Sequence, residues 1–235
     1  VAHDFGWIGT LETVKRLEET FETMKDLRRL RGHFFNWYDI HNLRPLDPVY
    51  VSMVDSGNLA GHLIAVAQAC REFICRPSFG PEVLAGIRDA LELLIDAEKR
   101  AEHPGRAQTV TVAHLREAME GMRGLLDDSP ISVPGWVTRL KALEAQSENL
   151  LDITRTLANA AEKESPSEVL VWAANVRECV QSHARDIEVA QLLEGLDDTQ
   201  KVETALGHRL SALALRAERT AQAMAQGAMG LSSGR

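Results

Sequence analysis

The sequence is short of cysteine, of basic residues and of aromatics, and it has no long uninterrupted apolar run. Each shortage removes a class of protein. Three cysteines, Cys70, Cys75 and Cys179, are an odd number without metal-type spacing, so they read as core-like thiols in a reducing compartment rather than as a disulfide scaffold. A formal charge of −8 with no basic stripe argues against a nucleic-acid partner, because phosphate neutralisation needs clustered Lys and Arg. No window approaches the ~20 consecutive apolar residues of a membrane span, and no charged-then-apolar leader precedes a small-residue cleavage site, so the chain itself reads as soluble with no direct membrane contact. The histidines are scattered without an i, i+4 pair, which leaves no expected metal centre. Ser56 lies in DSGN rather than in a GxSxG elbow, and no phosphate-cradling glycine loop is present, so no cofactor is expected.

What remains is ordinary globular material, 45% apolar and 26% charged, enough to build a substantial core in 235 residues. Apolar residues recur at steps of three and four in seven stretches. The first opens at Thr10 and carries Leu11, Val14, Leu17, Phe21, Met24, Leu27 and Leu30 until Gly32 stops it. Asp55 or Ser56 is positioned to cap the second, which runs through Leu59, Leu63, Val66, Cys70 and Phe73 to Pro77. Gly57, Ala60 and Gly61 keep its first turns slim enough for close approach by a backbone or a ligand.

Pro81 opens the third helix, ended at His103 to Gly105, and a shorter fourth spans Val112 to Met122. The fifth covers about Trp136 to Lys163. The sixth opens on a capping box in Ser165, Pro166, Ser167 and Glu168 and reaches Ile187. The seventh starts near Asp198 and carries Val202, Leu206, Leu210 and Leu213 before dissolving into Ala, Gly and Ser. With no strand signal beyond the short Val49 to Val54 run, the class is all-α.

The few aromatics are unevenly placed. Ten of the twelve precede Gly80, including every Phe and Tyr, so residues 1–79 read as a site-bearing part and 80–235 as a helical scaffold or connector. Between Arg31 and Leu63, Phe34, Phe35, Trp37, Tyr38 and Tyr50 crowd together with Asn36, Asp39, Asp55, Ser56 and Asn58. Pro45 and Pro48 hold the connection from about Gly32 to Asp55 extended. Aromatic faces beside short polar groups suit a sugar, whose C–H groups stack on rings while its hydroxyls meet amides and carboxylates.

Asp39 and Asp55 are the carboxylates nearest the rings, and glycoside chemistry uses such a pair about 5 to 9.5 Å apart. The plain alternatives are a helix cap at Asp55 and an Asx-turn at Asp39. Trp37 and Tyr38 either stack on sugar or plug the loop onto the helices, whereas Phe34 and Phe35, with no polar handle, read as core.

The runs GHFFNWYD and LRPLDPVYVSMVDSGNLAGHL resemble the signature of the large bacterial cyclic β-1,2-glucan synthases, ahead of their glucoamylase-like segment. HDFGWIGTLETVKRLEETFETMKDL is similar to the helix that precedes it there, and WAANVRECVQSHARDI is the most similar part of the later chain. The close match covers roughly Val1 to Phe73. Met53 departs from the small hydroxyl residue usual in that family, and His41 and Asn42 also replace more usual residues.

The resemblance implies a multidomain inner-membrane enzyme that extends a β-1,2-glucan from UDP-glucose, closes the ring by transglycosylation and trims the chain with a phosphorylase-like region. It further implies that helical hairpins here form the opening part of an (α/α) toroid, followed by a bundle-like connector, with the principal catalytic acid supplied elsewhere. Its partners would be β-1,2-glucan and the remaining domains of a parent protein, and its place the cytoplasmic side. Val1 and the run after it read as internal to something longer.

Asn36, Trp37, Tyr38, Asp39, Tyr50, Asp55, Ser56 and Asn58 are therefore the expected substrate-binding wall, with Asp39 and Asp55 the catalytic candidates. Two other readings stand beside this one. One is a non-catalytic helical module that holds neighbouring domains; the other is a free-standing glycosidase using the two aspartates.

Overall fold

A computed structural model describes residues 1–76, 79–101, 106–160 and 167–232. The chain is all-α apart from a two-residue-per-strand hairpin. Its elements are α1 (Thr10–Asp26), β1 (Arg29–Leu30), β2 (His33–Phe34), α2 (Met53–Cys75), α3 (Pro81–Arg100), α4 (Arg106–Gly124), α5 (Val133–Ala160), α6 (Glu168–Ala184), α7 (Ile187–Leu193), α8 (Asp198–Val202) and α9 (Ala205–Ser232). No helix among the described residues is long and apolar enough to cross a membrane. The chain divides into two compact units, Val1–Thr13 with Pro77–Glu194, and Val14–Arg76 with Gly195–Arg235.

In the first unit α3 packs on α6, α6 on α5, and α5 on α4. The apolar stripes read from the sequence meet in one core, in which Ile87, Leu91 and Leu94 of α3 lie with Leu115 and Met122 of α4 and Leu140, Leu143 and Leu150 of α5. Pro81 stands at the first helical position of α3, where its missing N–H removes nothing. The expected capping box of α6 falls partly on Ser165 and Pro166, outside the described residues. Ser167 is the cap, its Oγ accepting the Leu170 amide at 3.3 Å.

The start of the chain is tied to the end of α6. Buried Asp186 accepts the Thr10 amide at Oδ2 (2.6 Å) and the Leu11 amide at Oδ1 (3.0 Å), so a carboxylate from far along the sequence satisfies two of the orphan donors of α1. Ser182 Oγ accepts the Gly9 amide at 2.8 Å, and His183 Nε2 donates to the Gly6 carbonyl at 2.7 Å.

In the second unit α2 lies along α9, and β2 also touches α9. Leu63, Ala67, Cys70 and Ile74 are buried, as are Leu210, Leu213, Ala217, Ala221 and Met224. Arg209 forks onto both oxygens of Glu18 at 2.8 Å, and Arg216 reaches Glu22 at 3.0 Å. The Arg209 guanidinium holds the Glu18 carboxyl below its usual range. Gly227 lets α9 approach the hairpin: a Cβ there would fall on the Arg31 carbonyl.

Several boundaries differ from the sequence reading, each for a local reason. α1 stops at Asp26 rather than Leu30, because Arg29 and Leu30 pair antiparallel with Phe34 and His33. Arg31 (φ 50°) and Gly32 (φ 85°) both take positive φ, the requirement of a type I′ hairpin turn, so Gly32 is a turn residue and not a helix stop. The Val49 to Val54 run is no strand: Met53 and Val54 are already helical. α2 is capped by Ser52, whose Oγ accepts the Asp55 amide at 3.2 Å, and not by Asp55 or Ser56.

The last stretch is two helices. Asp197 and Gln200 form a capping box for α8, Thr204 Oγ1 accepts the Gly207 amide at 3.1 Å at the start of α9, and α9 continues through the Ala and Gly residues to Ser232. Of the three thiols, Cys70 and Cys179 are buried and Cys75 is exposed. Burial pushes the Cys70 thiol up to about 11 and the Cys179 thiol up to about 12, so neither is a thiolate at neutral pH.

Candidate functional site

The aromatic stretch folds back on itself between the hairpin and α2. Leu46 donates its amide to the Trp37 carbonyl at 3.1 Å, Tyr38 bridges to Pro45, and Asp39 donates its amide to the Arg44 carbonyl at 2.9 Å, which closes residues 37–46 into a narrow excursion. Asn36 ties the two ends of that excursion to the helix beyond. Its amide reaches the Tyr50 carbonyl at 2.9 Å, its Oδ1 accepts the Ser52 amide at 2.6 Å, and its Nδ2 donates to Asp55 Oδ2 at 2.8 Å. One short side chain therefore sets both the return of the loop and the first turn of α2.

A cleft of about 490 Å³ opens beside this knot, lined by Phe34, Phe35, Asn36, Trp37, Asp55, Ser56 and Leu59. That volume lies within the ~300–1,000 Å³ of ligand pockets. Trp37 is 68% exposed and presents its indole to solvent, while Phe34 and Phe35 are each 8% exposed and supply a buried apolar wall. Arg29 lies over the Phe34 ring at 4.3 Å and gives a hydrogen bond to the Met24 carbonyl; burial lowers its pKa.

Four of the eight expected wall residues, Asn36, Trp37, Asp55 and Ser56, line the cleft. The other four sit outside that lining. Tyr38 is a strut: its hydroxyl donates to the Arg28 carbonyl at 2.6 Å and accepts the Phe35 amide at 2.8 Å, and burial raises its pKa. Asp39 Oδ1 accepts the His41 amide at 2.7 Å and the Asn42 amide at 3.3 Å in an Asx-turn. Tyr50 is 55% exposed and meets Asn36 through its backbone. Asn58 is exposed, and its carbonyl accepts from His62 Nδ1 at 2.7 Å.

Phe34 and Phe35, read from the sequence as core, are buried and line the cleft as well, and Leu59, read as part of the apolar stripe of the second helix, lines it too. Helical spacing was the signal for Leu59, which lies four residues after Asp55 and three after Ser56, on one face. Nothing in the sequence marks a residue that is both buried and a wall. Asp55 is the one carboxylate among the described residues of the lining. With Oδ2 engaged by Asn36, its Oδ1 remains an acceptor beside an exposed indole and an apolar floor, an arrangement that can hold a polyhydroxylated ring.

No family model matches the chain. Over 231 residues it is 34% identical to the cyclic beta-(1,2)-glucan synthase NdvB of Rhizobium meliloti (strain 1021). The chain resembles a segment of a cyclic β-(1,2)-glucan synthase. The match takes in 95% of the chain, so it extends well beyond the aromatic stretch. The chain spans 8% of the length of NdvB, the curated relative it matches.

Proposed function

We propose that this chain is a glucan-binding wall within a cyclic β-1,2-glucan synthase, and that it performs no catalysis unaided. In this reading the parent enzyme transfers glucosyl units from UDP-glucose and closes the product by transglycosylation. The chain supplies opening hairpins of an (α/α) toroid that leads into a glucoamylase-like segment, on the cytoplasmic side of a bacterial inner membrane. β-1,2-Glucan and the remaining domains of the parent are its partners. The observation that carries the reading is the cleft in which an exposed Trp37 indole lies beside Asn36 and Asp55, in a chain 34% identical to a segment of NdvB.

One lining carboxylate favours grip over cleavage, because glycosidic bond breakage asks for two, about 5 to 9.5 Å apart. Calorimetric titration of linear β-1,2-glucan into the chain tests the wall. Trp37→Ala is expected to weaken binding about tenfold, the worth of one stacked ring. Unchanged affinity in that variant removes Trp37 from the site and the proposal with it.

A second reading, a helical module that holds neighbouring domains, draws support from Tyr38, whose hydroxyl is taken up by the Arg28 carbonyl and the Phe35 amide, and from Asp39, whose carboxylate is taken up by the loop's own backbone. It expects Tyr38→Phe to lower stability, and no variant of the loop to alter glucan affinity because no glucan binds.

A further inference from the structure

We propose that the unit formed by Val1–Thr13 and Pro77–Glu194 carries a second saccharide-binding cleft, built on Trp7 and Trp172. This proposal is independent of the Trp37 cleft, which lies in the other unit and shares no residue with it. The new cleft is about 300 Å³, at the lower end of the ~300–1,000 Å³ of ligand pockets, and suits one or two pyranose rings rather than a polymer lying full length.

Trp7 is held too firmly to be a chance surface residue. Its Nε1 donates to Asp89 Oδ2 at 3.0 Å, and its ring stacks on Phe5 with centroids 5.2 Å apart and planes 23° from parallel. The backbone behind it is seated on α3 by glycines at both sides of the contact: a Cβ on Gly6 (φ +70°) would fall on the Glu82 carbonyl, and one on Gly86 would fall on the Gly6 carbonyl. With all this fixing, Trp7 remains 46% exposed. A ring immobilised in advance gives up little entropy when a ligand stacks on it.

Trp172 of α6 adds a second indole to the lining, and Leu93, 42% exposed, extends the apolar surface. The polar groups are Asp89 and Asn175. Asp89 commits Oδ2 to Trp7, and Asn175 commits Nδ2 to the Val171 carbonyl at 2.9 Å. What they leave is acceptor oxygen, Oδ1 of each. Two aromatic faces for C–H groups with acceptors for hydroxyl donors are the complement of a hexose. An organic cation would also meet two rings and a carboxylate, but this carboxylate is solvent-exposed and already shared with an indole N–H.

The test observes the indole N–H resonances of the 235-residue chain during titration with sophorose, the β-1,2-linked glucose disaccharide, in a Trp37→Ala background that silences the first cleft. Saturable shifts of the Trp7 and Trp172 signals are expected. The Trp172 response should weaken about tenfold in Trp7→Ala and also in Asn175→Ala, a change on an exposed helix surface that leaves the fold intact. Absence of any saturable shift with sophorose overturns the proposal. So does a response to tetramethylammonium alone that disappears in Asp89→Asn, which would mark a cation cage. Because the background lacks Trp37, failure here leaves the first cleft standing, and failure there leaves this one.

Discussion

Asn36 Nδ2 donates to Asp55 Oδ2 at 2.8 Å, which joins the start of the aromatic loop to the first turn of α2 across nineteen residues of sequence. The same side chain takes the Ser52 amide at 2.6 Å on its other end. Cleft shape and helix start thus depend on one carboxamide, and a loss of either contact should be felt in both.

Asn36→Ala is therefore expected to cost about 1–3 kcal/mol, since it strands the Ser52 amide and frees Asp55, and to reduce glucan binding more than Trp37→Ala does. Chemical denaturation read beside the glucan titration checks both. Asn36→Asp should fail as well, because it places a second carboxylate against Asp55.

The glycines of the second unit should respond in opposite directions. At Gly57 and Gly61 an added methyl would meet nothing within 4 Å, so Gly57→Ala and Gly61→Ala should each stabilise α2 by up to about 1 kcal/mol. Gly227→Ala sets a methyl on the Arg31 carbonyl, which is backbone and cannot swing aside, and should destabilise the unit by several times ~1 kcal/mol. Thermal melts of the three variants make the comparison.

Asp186 gives a pH dependence with a definite sign. Burial pushes its carboxyl up to about 6 from 3.8, against the two backbone hydrogen bonds that favour the ionised form. The folded chain then keeps this proton to higher pH than the unfolded chain does, so folding takes up a proton between the two values. The Asp186 contribution to stability falls as pH rises from about 4 to about 6. Asp186→Asn should flatten that part of the stability profile, measured by denaturation at a series of pH values.

Ile40 (85% exposed), Val54 (72%) and Ile64 (60%) place large apolar side chains in solvent close to Trp37 and Tyr50 in the sequence. The isolated chain should associate with rising concentration, and Ile40→Ser together with Val54→Ser should shift it toward monomer by light scattering.

How much of this was legible beforehand depended on the range of the interaction involved. Stripes such as Ile87, Leu91, Leu94 and Leu140, Leu143, Leu150 announced helices that do bury those residues, because period and burial are both local facts. The hairpin was missed because Arg31 and Gly32 lack the Asn-Gly signature while meeting the same demand for positive φ. The break at Thr204 was missed because Val202, Leu206 and Leu210 keep helical spacing straight through it. In the site, Asn36 and Trp37 stood out by composition, but the struts did not: the acceptor of the Tyr38 hydroxyl is a main-chain carbonyl of Arg28, and any residue supplies one.

The clasp between Asp186 and the first turn of α1 imposes an order on biosynthesis. A ribosome delivers Thr10 and Leu11 long before Asp186, 176 residues later in the first case, so their amides must wait in water until most of the chain has emerged. The first turn of α1 is made well before the carboxylate that locks it, and a chain stalled short of residue 186 should leave Thr10 and Leu11 accessible to protease.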